Sequence, residues 1–229
     1  MALCVSACAA LAGCEGALSV LDPAGPGARM VAHLWWAMLG GAALLTVLVL
    51  SLVALGFRAP AARQRSTRFW ALGLGVAMPL AVLTVLVGRG LWMGERMQAR
   101  PDAQVLTVQA EARQWVWRFV QPGPQGQAVT TENVLFIPAG QPVHVALTSR
   151  DVVHSFWVPR LGGKMDAIPG HRNVLRIQAD VPGRYAGLSA EFSGVGYGEM
   201  RFDVVAYPPD QVPQMPGLPQ PPLPTKEAP

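Results

Sequence analysis

Three cysteines occur in the 229 residues, and Cys4, Cys8 and Cys14 all fall within the first fourteen positions. The thiolate is both the nucleophile and the soft metal ligand of cysteine chemistry. Nothing after residue 14 can therefore supply a disulfide, a thiolate metal site or a cysteine nucleophile. The other groups with chemical capacity gather in the C-terminal half. His154 comes first, and Glu191 and Met200 follow within the segment Ser189-Ala190-Glu191-Phe192-Ser193-Gly194-Val195-Gly196-Tyr197-Gly198-Glu199-Met200. One imidazole, one thioether and one carboxylate or backbone oxygen lack the second histidine and the cysteine of a blue-copper site. The plain structural account makes His154 a histidine hydrogen-bonded beneath this loop and Met200 a core residue at the start of a strand. The segment offers no nucleophile and base at related positions and no paired acids in a defined pocket, so an independent catalytic role is not expected.

These groups must be positioned by a chain of unusual composition. It is 51% hydrophobic and 14% charged, which is too apolar for an ordinary soluble protein. The formal net charge of +4 does not mark a basic domain, because arginines cluster in one short segment, Arg58, Arg63, Arg65 and Arg68. No nucleic-acid partner is expected. Residues 31–57 are almost wholly apolar and long enough to cross a bilayer, with Trp35 and Trp36 as an interfacial pair. His33, near the end of this span, reads as an interfacial residue. A second span, residues 69–94, carries Pro79 as a kink and Trp92 at its far end. The acid-free arginine loop, residues 58–68, lies in the cytoplasm by the positive-inside rule, which sets both termini on the outer face. Membrane lipid is thus one partner.

Residues 1–14 are small and apolar and end in Leu11-Ala12-Gly13-Cys14, which looks like a bacterial lipoprotein processing box with Cys14 as the lipidated residue. The alternative is a retained apolar N-terminus with an incidental cysteine, since no Lys or Arg precedes the run. Residues 15–30 form an exported segment. Residues 101–207 change character to short runs rich in Val, Phe, Trp and Thr, broken by Gly, Pro and Asp. Expected strands are residues 105–109, 114–120, 134–138, 143–148, 155–158, 174–179, 184–188 and 200–206, a pattern of a β-sandwich or small barrel. Residues 208–229 form a proline-dominated tail, extended or disordered. The fold class expected is a two-helix transmembrane hairpin followed by a β-sandwich or barrel domain.

Three blocks carry a resemblance: Asp151-Val152-Val153-His154-Ser155-Phe156-Trp157-Val158-Pro159, Lys164-Met165-Asp166-Ala167-Ile168-Pro169-Gly170 and Pro182-Gly183-Arg184-Tyr185-Ala186-Gly187. In this order they resemble the cupredoxin domain of subunit II of haem-copper terminal oxidases. The likeness extends to Leu21-Asp22-Pro23, the helical hairpin and Gln114-Trp115-Val116-Trp117. Copper-containing members of that family hold two copper ions with a histidine of the first block and a loop C-x-E-x-C-x-x-x-H-x-x-M. Here Ser189 and Ser193 stand at the cysteine positions and Tyr197 at the histidine position, while His154, Glu191 and Met200 remain. Serine hydroxyls are hard donors and do not replace bridging thiolates. The loop is similar to that of quinol oxidases, whose subunit II lacks this centre.

The resemblance implies a non-catalytic subunit II of a bacterial respiratory quinol oxidase reducing O2 to water. It would have no cofactor on this chain, with the haems and copper on the large subunit. The implied partners are the large subunit I, subunit III and, through the complex, quinol. The implied site is the bacterial inner membrane, crossed twice, with the C-terminal domain on the periplasmic side. Glu191 aligns with a magnesium ligand at the interface with the large subunit, although a plain interfacial acid serves as well. Trp115 aligns with an aromatic at the cytochrome c docking surface, or packs at a subunit surface. Asp151, Asp166, Arg160 and Arg172 flank the blocks and are read as solvated charges or docking pairs. The stretch from Phe69 to Pro79 lacks the acid that many members carry there at a proton pathway. Two other readings stay open: the same subunit receiving electrons from a cytochrome c without a copper relay, and a free copper-binding or chaperone cupredoxin.

Overall fold

The computed structural model describes residues 16–58, 66–100, 104–211, 213 and 215. Two compact units emerge, one of residues 30–98 and one that joins the N-terminal residues up to Arg29 with residues 99–229.

The first unit is helical. Helix α1 spans Pro26–Arg58 and α2 spans Phe69–Met97, 33 and 29 residues, both long and apolar enough to cross a membrane. At 1.5 Å per residue, α1 is about 50 Å long, against a hydrocarbon core of about 30 Å. Helix α1 starts five residues before the apolar run at Val31, because Pro26 suits the first turn, where a missing N–H costs nothing. At Pro79, where a kink is expected, the winding of the helix changes. Residues Phe69–Ala77 wind as a π-helix, with the Met78 N–H bonded to the Gly73 carbonyl, and α-winding starts at Met78 with Pro79 in its first turn. The missing proline N–H thus falls at the π-to-α transition, where the regular donor ladder already changes register. At the far end Trp92 lies between Arg89 and Arg96, whose guanidinium carbons sit 5.0 and 4.0 Å from the ring centroid. Arg63 and Arg65 of the connecting loop lie outside the described residues.

The second unit is a β-sandwich with ten strands among the described residues: β1 (Leu106–Arg113), β2 (Val116–Pro122), β3 (Ala128–Glu132), β4 (Val134–Pro138), β5 (Val143–Ser149), β6 (His154–Trp157), β7 (Met165–Ala167), β8 (Asn173–Ile177), β9 (Gly183–Ser189) and β10 (Arg201–Tyr207). One sheet has the order β3-β2-β1-β5-β8 and the other β4-β10-β9-β6-β7. Alternation of buried and exposed residues, clearest in β2, β9 and β10, turns one face of each strand inward. Between the sheets Trp117, Phe119, Phe156 and Phe202 pack as one aromatic cluster, with centroid separations of 4.5 to 6.5 Å.

The first two expected strands shift most, and two strands are added. Gln114 and Trp115 belong to the β1–β2 turn, since β1 runs on to Arg113 in register with β2 and β5. Strand β3 is half polar and pairs only at an edge, and β7 is three residues inside the Lys164–Gly170 block, so neither offers an apolar run to read. The N-terminal segment is strapped to this unit. Ala24 donates its N–H to the Arg160 carbonyl (2.7 Å), Asp180 donates to the Ala24 carbonyl (2.9 Å), and Arg29 pairs with Asp180. Arg160 pairs with Asp22 at 2.9 Å and also donates from Nε to the Asp22 carbonyl. Arg160, expected as a solvated or docking charge, is therefore an internal tie to the Leu21-Asp22-Pro23 segment.

Candidate functional site

The register of one sheet assembles the site. In β6 and β9, Phe156 opposes Ser189, and one step on the Ala190 N–H donates to the Ser155 carbonyl at 2.9 Å. On the other side of β9 the Ser189 N–H donates to the Met200 carbonyl at 3.0 Å. Directly opposed residues of an antiparallel pair share a face. Phe156, Ser189 and Met200 thus line the inner face, and His154, two residues before Phe156, joins them. His154, Ser189, Ser193 and Met200 are all buried.

His154 is oriented by a carboxylate. Its Nε2 lies 2.8 Å from Asp151 Oδ1, while Nδ1 is buried without a hydrogen-bond partner. Burial alone raises the Asp151 pKa, but the Gln114 N–H, the His154 ring and the Val152 N–H together hold it down, from 3.8 to about 2. An ionised carboxylate accepts, so the Nε2 nitrogen carries the proton. Asp151 is therefore not a solvated or docking charge, as its place in the sequence suggests, but the partner that fixes a ring. The three-residue spacing from Asp151 to His154 was the available signal. Gln114, singled out only as part of the aromatic block, closes the arrangement from the β1–β2 turn. Its N–H donates to Asp151 Oδ2 at 2.7 Å and its side-chain amide to the Ser193 carbonyl at 2.6 Å.

The two serine hydroxyls, Ser189 Oγ and Ser193 Oγ, are likewise buried and without partners. The loop between them and Met200 turns outward. Gly194 and Gly196 adopt φ of 110° and 109°, and the Trp115 ring lies against both, so that a Cβ on Gly196 would come within 3.1 Å of it. Left-handed backbone and close ring contact both require glycine here. Tyr197 is 39% exposed and stacks edge-on against Phe192 with centroids 5.4 Å apart. It does not join His154, Ser189, Ser193 and Met200. Glu191 is also outside, 3.4 Å from the Lys164 ammonium. Trp115 is partly exposed at the rim. Asp166 takes part through its backbone carbonyl, which accepts from Asn173 at 2.8 Å. Cys14 lies outside the described residues.

As a metal site this set is poor. No group of three or more His, Cys, Asp or Glu side chains among the described residues could hold a metal ion. The buried donors of the set are one imidazole nitrogen, two hydroxyls and a thioether, a mixture that does not fit two thiolate-bridged copper ions.

Two helices long and apolar enough to cross a membrane, joined in sequence to a β-sandwich, are the elements of a membrane-anchored protein with a separate β-domain. The profile described as cytochrome C oxidase subunit II, periplasmic domain, matches residues 120–206. Ubiquinol oxidase subunit 2 of Acetobacter aceti is 31% identical over 217 residues, covering 88% of this chain and 68% of that protein. Quinol oxidase subunit 2 of Bacillus cereus is 30% identical, covering 86% and 71%. The periplasmic domain of subunit II of cytochrome oxidase of Bradyrhizobium japonicum aligns over 48% of this chain and 88% of that domain, at 26% identity and a TM-score of 0.43. The chain belongs to the subunit II family of haem-copper oxidases and is quinol-oxidase-like.

Proposed function

We propose that this chain is the non-catalytic subunit II of a bacterial respiratory quinol oxidase that reduces O2 to water, and that it carries no binuclear copper centre. The observation that carries the reading is the replacement of both thiolate positions by Ser189 and Ser193, in a chain with no cysteine after Cys14. The likeness to ubiquinol and quinol oxidase subunits supports the donor assignment. The chain's partners are then the large subunit, which carries the haems and copper, and subunit III. Its sandwich covers the exported face of the large subunit from the periplasmic side, its helices cross the inner membrane, and Cys14 is lipidated on the outer face. Glu191 serves as an interfacial acid neutralised by Lys164; magnesium there would have to displace the ammonium.

Purified complex assayed with quinol and with reduced cytochrome c tests this reading. Quinol turnover without a near-infrared binuclear copper band is the expected outcome, and robust oxidation of cytochrome c alone would sink the quinol assignment. The partly exposed Trp115 favours a second reading, in which a cytochrome c docks there and passes electrons on without a copper relay. Trp115→Ala separates the two, since it should leave quinol turnover unchanged and lower cytochrome c turnover if any exists. Stoichiometric, tightly held copper on the isolated chain would instead favour a free copper-binding protein.

A further inference from the structure

We infer that the buried end of β6, β9 and β10 is a hydration site, in which an ordered water bonds to His154 Nδ1 and to the Ser189 and Ser193 hydroxyls. The inference rests on the copper-free reading above and adds what the same residues bind instead.

His154 Nδ1, Ser189 Oγ and Ser193 Oγ are all buried, and none has a hydrogen-bond partner within the protein. They belong to one neighbourhood. His154 and Ser189 share the inner face through the β6–β9 register, and Ser193 is tied to the same end through its backbone carbonyl, which accepts from the Gln114 side chain, whose own N–H binds the carboxylate that orients His154. Ser155, also buried with a free hydroxyl, alternates to the other face of β6 and stays outside the group. Buried polar groups in native proteins are almost always bonded, so three in one place call for a guest.

The charge of the site selects the guest. Both Asp151 oxygens are already engaged, Oδ2 by the Gln114 N–H and Oδ1 by His154, the Val152 N–H and Ser149. Glu191, the other carboxylate of the loop's first half, is turned to Lys164. Among the described residues no Asp, Glu, Lys or Arg is buried, so the interior offers no carboxylate to neutralise a cation and no lysine or arginine to hold an anion. Asp151 takes up His154 Nε2, so Nδ1 is the ring nitrogen left to bond a guest. Each serine hydroxyl can give one proton and accept others. A neutral molecule that can both give and accept protons, bonding to Nδ1 and to the two hydroxyls, satisfies all three atoms at once. Water does this with about three bonds, the usual number for a buried water.

The test uses the intact, detergent-purified oxidase. A high-resolution cryo-EM map should contain a peak about 2.6–3.2 Å from His154 Nδ1 and from at least one serine Oγ, with elemental copper no greater than the large subunit accounts for. A direct serine hydroxyl to Nδ1 bond, with no peak and no extra copper, would overturn the hydration site and leave the copper-free reading standing. A heavier peak accompanied by extra copper would overturn both. In the Ser189→Ala/Ser193→Ala complex the peak should be lost; its survival at full height would also overturn the assignment, because the hydroxyls would not be its partners. The wild-type map decides the matter even if that variant does not assemble.

Discussion

The two units of this chain treat apolar side chains in opposite ways. In the sandwich Leu147, Trp117 and Phe156 are buried, whereas in α1 Leu44 is 69% exposed within a helix that is apolar on every side. The difference lies in the solvent each unit is built for. The sandwich removes apolar surface from water, with about 25 cal/mol gained per Å2 buried. The hairpin presents that surface to lipid tails, which are as apolar as leucine itself, so burial against protein gains little there.

Matched substitutions sharpen this contrast, and the largest effects fall in the sandwich. Trp117→Ala removes the ring at the centre of the aromatic cluster and should destabilise the domain by about 3–5 kcal/mol. Leu147→Ala should cost about 2–5 kcal/mol, while Leu44→Ala leaves the thermal unfolding of the sandwich unchanged. Equal losses for the two leucines would break the comparison. A charge reverses the ranking. Leu44→Arg should disfavour membrane insertion by up to about 3 kcal/mol in a translocation assay, whereas Val181→Arg, 58% exposed on the sandwich, should stay within about 0.5 kcal/mol of wild type. Where the chain passes from one unit to the other, Gly25 has no room for a side chain, since a Cβ would lie 2.1 Å from the Gln178 carbonyl oxygen. Gly25→Ala should loosen the strap at a cost of about 1–3 kcal/mol, read as faster proteolysis of the segment before α1.

The smallest effect is a pH dependence confined to the sandwich. Asp151 has its pKa depressed from 3.8 to about 2 by the hydrogen bonds it accepts. A depressed carboxylate contributes stability that is complete above the unfolded value, near 4, and disappears as pH falls through about 2. Acid unfolding of the wild-type chain should therefore steepen between about pH 4 and 2 relative to Asp151→Asn. Identical profiles would mean that the carboxylate does not hold the His154 ring.

Much of the architecture was legible because it rests on composition and period. Two apolar runs long enough for a bilayer need no partner to be recognised, and the inward alternation of strands such as β2 and β10 marks a sandwich face. The polar edge strand β3 and the three-residue β7 were not legible, since their pairing comes from neighbours distant in sequence. At the site, the confinement of every cysteine to the first fourteen residues is a property of the sequence that no folding can alter. The destination of the other groups was decided by tertiary structure. Cross-strand register set His154, Ser189 and Met200 on one inner face, and the β1–β2 turn brought Gln114 to Asp151 and Ser193. Two left-handed glycines turned Tyr197 and Phe192 outward, and Lys164 drew Glu191 away. Which donor types exist is local information carried by residue identity; which of them face one another depends on pairings between segments far apart in the chain.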